Sequence, residues 1–125
     1  MQPRKILAVD DSKLMQRIYE VMLRGFPVVC AGDGREALQR LDENPDVDLV
    51  VLDINMPRMG GLELLTELRH RNLLPGLRVV VVSTQGHEQD IERGMEAGAV
   101  AYMTKPFEAV DLLHLIAGLE ERGES

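Results

Sequence analysis

The sequence predicts an α/β fold built as one unit: a doubly wound parallel sheet of five strands, with five helices covering both faces. Five short apolar runs recur, at 6–9, 28–31, 49–52, 79–82 and 100–103, and four of them are rich in β-branched residues. The runs are continuous rather than alternating, the pattern of strands buried on both faces. Longer stretches with apolar residues at helical spacing lie between them. Strands alternating with helices imply a parallel sheet with right-handed crossovers.

The first run, Ile6-Leu7-Ala8-Val9, leads into a helix over 12–23 on Leu14, Ile18 and Met22, with Gly25 as its stop. The second run, Val28-Val29-Cys30-Ala31, passes through the turn Gly32-Asp33-Gly34 into a helix over 35–41 on Ala37, Leu38 and Leu41. Asn44-Pro45 precedes the third strand, and a loop over 57–61 precedes a helix over 62–68 on Leu64, Leu65 and Leu68. Pro75-Gly76 opens onto the fourth strand, and the helix over 87–97 carries Ile91 and Met95. Gly94 inside that helix lowers its intrinsic stability by up to ~1 kcal/mol relative to Ala. Gly98 separates it from the fifth strand, and the last helix, over 108–119, carries Leu112, Ile116 and Leu119. Residues 120–125 form a polar tail expected to fray.

A chain of 125 residues is the size of one domain. It buries roughly two-thirds of its unfolded surface and needs no disulfide or metal staple. Fourteen basic against 21 acidic side chains leave a net charge of −7, which disfavours nucleic acid and anionic membrane as direct partners. Cys30 is the only cysteine, so an internal disulfide and a multi-cysteine metal site are excluded. Within its apolar run it reads as a small buried hydrophobe. No apolar stretch approaches the ~18 residues of a membrane span, and no signal-peptide pattern follows Met1. A reducing cytoplasm is the expected location.

Ligands of open α/β sheets bind beyond the carboxyl ends of the strands. Asp10-Asp11 follow the first strand, Asp53 ends the third, Ser83-Thr84 end the fourth and Lys105-Pro106 follow the fifth. Asp33, after the second, reads as a turn residue between two glycines. If the spatial order is 2-1-3-4-5, three carboxylates, a hydroxyl and an ammonium converge on one edge. Singly, these are ordinary turn, cap or surface residues; their joint placement points to a site. Two carboxylates ~4 Å apart repel by about 4 kcal/mol at an effective dielectric near 20. A raised pKa or a bound cation relieves this. Hard oxygen ligands suit Mg²⁺, and a remaining carboxylate is free to accept a phosphoryl group covalently. Lys105 supplies a compact positive charge, and the Ser83 hydroxyl can donate to a phosphoryl oxygen. His70, His87 and His114 read as surface residues, since no two share metal-ligand spacing on one helix face.

The site residues and their flanks resemble a bacterial two-component response-regulator receiver domain, in particular the stand-alone chemotaxis type. The matching segments are Ile6-Leu7-Ala8-Val9-Asp10-Asp11-Ser12, Val51-Leu52-Asp53-Ile54-Asn55-Met56-Pro57-Arg58-Met59-Gly60-Gly61, Val82-Ser83-Thr84, and Gly98-Ala99 through Lys105-Pro106-Phe107. The resemblance covers about 5–119, so residues 1–125 are expected to form one receiver domain with a flavodoxin-like strand order 2-1-3-4-5. It implies that Asp53 accepts phosphate from a histidine kinase or phosphotransfer protein. It implies that Asp11 and Asp53 hold Mg²⁺ directly, Asp10 mainly through water, and Asn55 through its backbone carbonyl. Lys105 would contact the phosphoryl group, Ser83 would swing toward it, and Tyr102 would turn inward behind it. The Lys105-Pro106 peptide would be cis. The signal would emerge on the face of the fourth helix, fifth strand and fifth helix, toward a downstream protein or a second copy. Such a domain is a phosphoacceptor rather than an enzyme with an external substrate.

Two features depart from the commonest family pattern. Thr84 stands where Ala or Gly is usual, and its branched side chain is expected to gate access to the acceptor. The fifth helix is apolar over an arc of about 160°, so Leu115, with Ile91 and Tyr102, is assigned to a partner face. Among rival functions, a haloacid-dehalogenase-type phosphatase needs an acid two residues after its nucleophile, where Asn55 can transfer no proton. No Gly-Lys-Ser/Thr motif of a P-loop is present. Asp10-Asp11 would repel the phosphate of a flavin. A stand-alone regulator is favoured over the N-terminal receiver of a longer protein.

Overall fold

The computed structural model describes residues 1–56, 59–74, 76–84 and 88–119. Its elements run β1 (Ile6–Val9), α1 (Lys13–Met22), β2 (Val28–Ala31), α2 (Gly34–Glu43), β3 (Leu49–Asp53), α3 (Gly61–His70), β4 (Arg78–Thr84), α4 (Glu88–Glu96), β5 (Ala101–Lys105) and α5 (Ala109–Gly118). The strands form one sheet in the order β2-β1-β3-β4-β5, every pair parallel. Pro57, Arg58, Pro75, His87 and the tail 120–125 lie outside the described residues.

Alternate residues of the central strands feed two separate cores. Leu7, Val9, Val50, Leu52, Val79 and Val81 pack with Ala37 of α2 and Leu64, Leu65 and Leu68 of α3. Ile6, Ala8, Leu49, Val51, Val80 and Val82 pack with Tyr19, Leu23, Leu112 and Ile116 on the other face. Covering both faces requires every position of β1 and β3 to be apolar up to the strand end, which is why those runs do not alternate. The edge strand β2 is different: Val28, Val29 and Cys30 are only half-buried. Cys30 is therefore not the fully buried hydrophobe its neighbours suggest.

The predicted phase of α1 is corrected. Leu14 is 70% exposed and Ile18 half-buried, while Gln16, Tyr19 and Leu23 face the sheet. The cap sets this rotation. The Ser12 N–H donates to Asp10 Oδ1 at 2.9 Å, and Ser12 Oγ accepts from the Met15 N–H at 3.2 Å. Asp33 is likewise more than a turn residue: its Oδ1 accepts from the Glu36 N–H at 2.9 Å and caps α2. β4 ends at Ser83-Thr84 as expected, and these two residues pair with Thr104 and Lys105.

Two glycines allow close approach. At Gly94 an added Cβ would lie 3.0 Å from Ile54 Cδ1 and 3.2 Å from Val81 Cγ1, so the intrinsic weakness of α4 there accompanies tight packing on β4. At Gly61 it would lie 2.5 Å from Ile54 Cα and 2.9 Å from the Asp53 carbonyl oxygen. The start of α3 thus rests on the backbone that leaves β3. Gly61→Ala is expected to destabilise the domain by about 3 kcal/mol, the upper part of the overpacking range, and to lower the thermal midpoint by roughly 10 °C. A calorimetric midpoint equal to that of the wild type would show that α3 retreats at no cost.

Candidate functional site

The carboxyl ends of β1, β3, β4 and β5 bring Asp10, Asp11, Asp53, Ser83 and Lys105 to one edge of the sheet. Asp10 and Asp53 are 1% and 5% exposed, whereas Asp11 faces solvent. One carboxylate oxygen from each of the three lies within 4.8 Å of the others. Lys105 Nζ donates to Asp10 Oδ2 at 3.0 Å and lies 3.6 Å from Asp53 Oδ2. Asp53 Oδ1 accepts from the Asn55 N–H at 3.0 Å. The Lys105-Pro106 peptide is cis.

Burial pushes the Asp53 carboxyl above its ordinary pKa, and the charges of Asp10 and Asp11 add to that push. The Asn55 N–H and the Lys105 ammonium act against it without cancelling it. For Lys105, burial pulls the ammonium down, but the hydrogen bond to Asp10 and the charge of Asp53 outweigh it, and the net shift is upward. Lys105 is thus held as a cation beside the acids.

Ser83 is fully buried, and its Oγ lies 3.2 Å from Asn55 Oδ1 and 3.3 Å from the Thr84 carbonyl oxygen. The Asn55 amide also donates to Asp90 Oδ2 at 2.9 Å, so one side chain joins the end of β4 to α4. Asp90 was not legible as a site neighbour, because that pairing spans 35 residues. Two further neighbours were missed. Gln16 Nε2 donates to the Asp10 carbonyl oxygen at 2.9 Å, and the only signal for it is a polar residue on the buried face of α1. Tyr19 is buried beside the site and stacks in a tilted geometry on Phe107, ring centroids 6.3 Å apart. Burial, then the charges of Asp10 and Asp53, push its phenol pKa up.

Thr84 is exposed at the end of β4 and, with Ile91 and Tyr102, lines a groove between α4 and β5. Tyr102 is 52% exposed, its ring turned outward. Leu115 does not join that groove. It packs inward against the core that contains Leu112 and Ile116, because it lies only about 60° from Leu112 around the helix. His70 and His114 are exposed.

A family model described as the response regulator receiver domain matches residues 6–117. The chain belongs to the response-regulator receiver family. Among relatives of this receiver domain, the transcriptional regulatory protein PdtaR of Mycobacterium tuberculosis is 37% identical over 117 residues, covering 91% of this chain and 55% of PdtaR. Chemotaxis protein CheY1 of Helicobacter pylori is 36% identical over 106 residues, covering 82% of this chain and 86% of CheY1. The crystal structure of Vibrio cholerae chemotaxis protein CheY4 superposes with a TM-score of 0.84 at 30% identity, covering 93% of this chain and 98% of that one. The receiver spans about half the length of curated relatives such as PdtaR, CpxR and PhoP. As a receiver it is a phosphoacceptor signalling domain of the two-component type. Among the described residues, no helix is long and apolar enough to cross a membrane.

Proposed function

We propose that Asp53 accepts a phosphoryl group from the phosphohistidine of a histidine kinase or phosphotransfer protein. The supporting observation is the grouping of Asp53 with Asp10, Asp11 and the Lys105 ammonium at the strand ends. An Asp53 carboxylate oxygen bonds to phosphorus as the phosphorus–nitrogen bond breaks and the electron pair leaves with the imidazole. Lys105 attracts the phosphoryl oxygens, and Ser83 donates its hydroxyl to one of them on leaving Asn55. Tyr102 then turns inward, and the α4–β5–α5 face changes. The target of that face is a downstream protein.

The donor set fits Mg²⁺: three carboxylates, hard and negatively charged, within reach of one ion. Asp11 and Asp53 would hold it directly, Asp10 mainly through water, and Asn55 through its backbone carbonyl. When bound, it supplies positive charge that offsets the carboxylates and the developing charge of phosphoryl transfer. The cytoplasm, where phosphohistidine donors work, is the assigned compartment.

A stand-alone regulator is one organisation this receiver fits, since it matches CheY1 over 86% and CheY4 over 98% of their lengths. The alternative, a receiver within a longer regulator, is supported by the half-length matches. A haloacid-dehalogenase-type phosphatase is disfavoured by Asn55, whose amide cannot act as a general acid or base.

Incubation with acetyl phosphate and Mg²⁺, followed by intact mass and peptide mapping, tests the reading. A gain of one phosphoryl group that maps to Asp53 supports it, and a folded protein that gains none refutes it. Thr84 is assigned to gate entry to Asp53 and attack by water. Thr84→Ala is therefore expected to shorten the lifetime of the phosphorylated form several-fold, followed by loss of the added mass with time. Equal lifetimes would remove the gating role.

A further inference from the structure

The groove between α4 and β5 has a volume of about 630 Å³. Ile91 and Met95 of α4 and Tyr102 of β5 give it an apolar floor, while Glu88, Glu92 and Glu96 line it at successive turns of α4. Among the described residues, no lysine or arginine lines it. Nearby cations are engaged with other groups: Arg93 Nη1 lies 3.6 Å from Asp90 Oδ1, Lys105 Nζ is bonded to Asp10, and Arg69 Nη1 donates to the Glu96 carbonyl oxygen at 3.4 Å. The next element, α5, contains neither lysine nor arginine. Two copies joined through this face would oppose glutamates to glutamates with no lysine or arginine among the described lining residues, and like-charge contact across an interface opposes association. An anionic lipid surface is repelled for the same reason.

We propose that the groove receives a basic amphipathic helix from a different protein. Its apolar side chains would cover Ile91, Met95 and Tyr102, and its lysines or arginines would pair with Glu88, Glu92 and Glu96. The three glutamates are spaced four residues apart and span about 12 Å along α4. A partner helix lying alongside repeats its own cations at the same pitch. This inference rests on the receiver reading and adds the chemistry of the output partner.

The probe is a fluorescein-labelled helical peptide with a leucine stripe flanked by lysines, beside a twin carrying glutamate at each lysine position. Binding is followed by fluorescence anisotropy. The lysine peptide is expected to bind at least tenfold more tightly than its twin, with an affinity that falls as salt rises. Glu92→Gln with Glu96→Gln should weaken it roughly threefold to thirtyfold. Glu20→Gln with Asp42→Asn changes net charge equally but lies on α1 and α2, and should shift affinity less than twofold. Equal losses in the two double variants, or equal binding of both peptides, would overturn the proposal. Acetyl phosphate uptake is measured on the same samples. Uptake without peptide preference overturns the groove assignment alone, whereas peptide preference without uptake supports the groove and overturns the acceptor role of Asp53.

Discussion

Asp53→Asn is expected to take up no phosphoryl group from acetyl phosphate and, in EDTA, to unfold at a higher temperature than the wild type. The amide is nearly isosteric with the carboxylate, and its oxygen can still accept from the Asn55 N–H that Asp53 Oδ1 meets at 3.0 Å. The local turn is therefore kept while the nucleophile is lost. Stability rises because the native charge is held at a cost. Asp53 is 5% exposed, and burial is the main force against its ionised form, with Asp10 and Asp11 adding repulsion. Lys105, 3.6 Å away, returns only part of that cost. Relief of that cost is expected to raise the midpoint by a few degrees in a domain of this size. Mg²⁺ then acts in the opposite sense. An ion that binds only the native state stabilises it by about 2.7 kcal/mol at a hundred times its dissociation constant. The wild type, with all three carboxylates, gains more of this than the variant, so the difference narrows or reverses when Mg²⁺ is added. Intact mass and thermal melts with and without Mg²⁺ check both halves. A lower midpoint for the variant in EDTA would mean that the Asp53–Lys105 pair is net stabilising.

The strands and the acidic edge were legible because their signals are local. Burial on both faces makes β1 and β3 uniformly apolar, and residues that follow such runs fall at the carboxyl edge whatever the rest of the chain does. Asp10, Asp53, Ser83 and Lys105 are found in this way. The phase of α1 was not legible, because it carries two overlapping apolar stripes. Leu14 and Ile18 form one, Met15, Tyr19 and Leu23 the other. The choice depends on the Asp10–Ser12–Met15 cap and on the Tyr19–Phe107 contact, both of which require the folded chain. Cys30 depends on strand order: its surroundings follow from β2 being an edge, which a run of Val-Val-Cys-Ala cannot state. Leu115 illustrates the limit of an arc drawn on one helix. A residue 60° from the buried stripe goes inward or outward according to how deeply the helix sits. Asp90 shows the same limit for polar residues, since only the approach of α4 to the segment after β3 makes it a partner of Asn55.

Lys105→Met is expected to slow phosphoryl uptake about a hundredfold while leaving Mg²⁺ affinity no weaker than in the wild type. A donor aimed at developing oxyanion charge is worth roughly two to three powers of ten in rate. The same ammonium repels a divalent cation, so its removal is expected to tighten Mg²⁺ binding, by up to about tenfold. Stability separates the two partners of the pair. Without Lys105, Asp10 loses the hydrogen bond at 3.0 Å and three carboxylates face one another uncompensated. Breaking a buried ion pair costs about 3–5 kcal/mol. Here the lysine side chain is 24% exposed, so a loss of about 2 kcal/mol in EDTA is expected, most of it restored by Mg²⁺. Asp53→Asn and Lys105→Met thus shift the EDTA midpoint in opposite directions. Because the residues are in contact, the double variant should lie above the sum of the two single effects: removing one acid lessens the repulsion that loss of the cation exposes. Phosphoryl uptake by mass, Mg²⁺ titration and melts of all four proteins test this. Wild-type uptake in Lys105→Met would reduce the ammonium to a counter-ion for Asp10. Lost Mg²⁺ binding would instead assign the slower uptake to a collapsed carboxylate cluster rather than to a missing charge at the phosphoryl group.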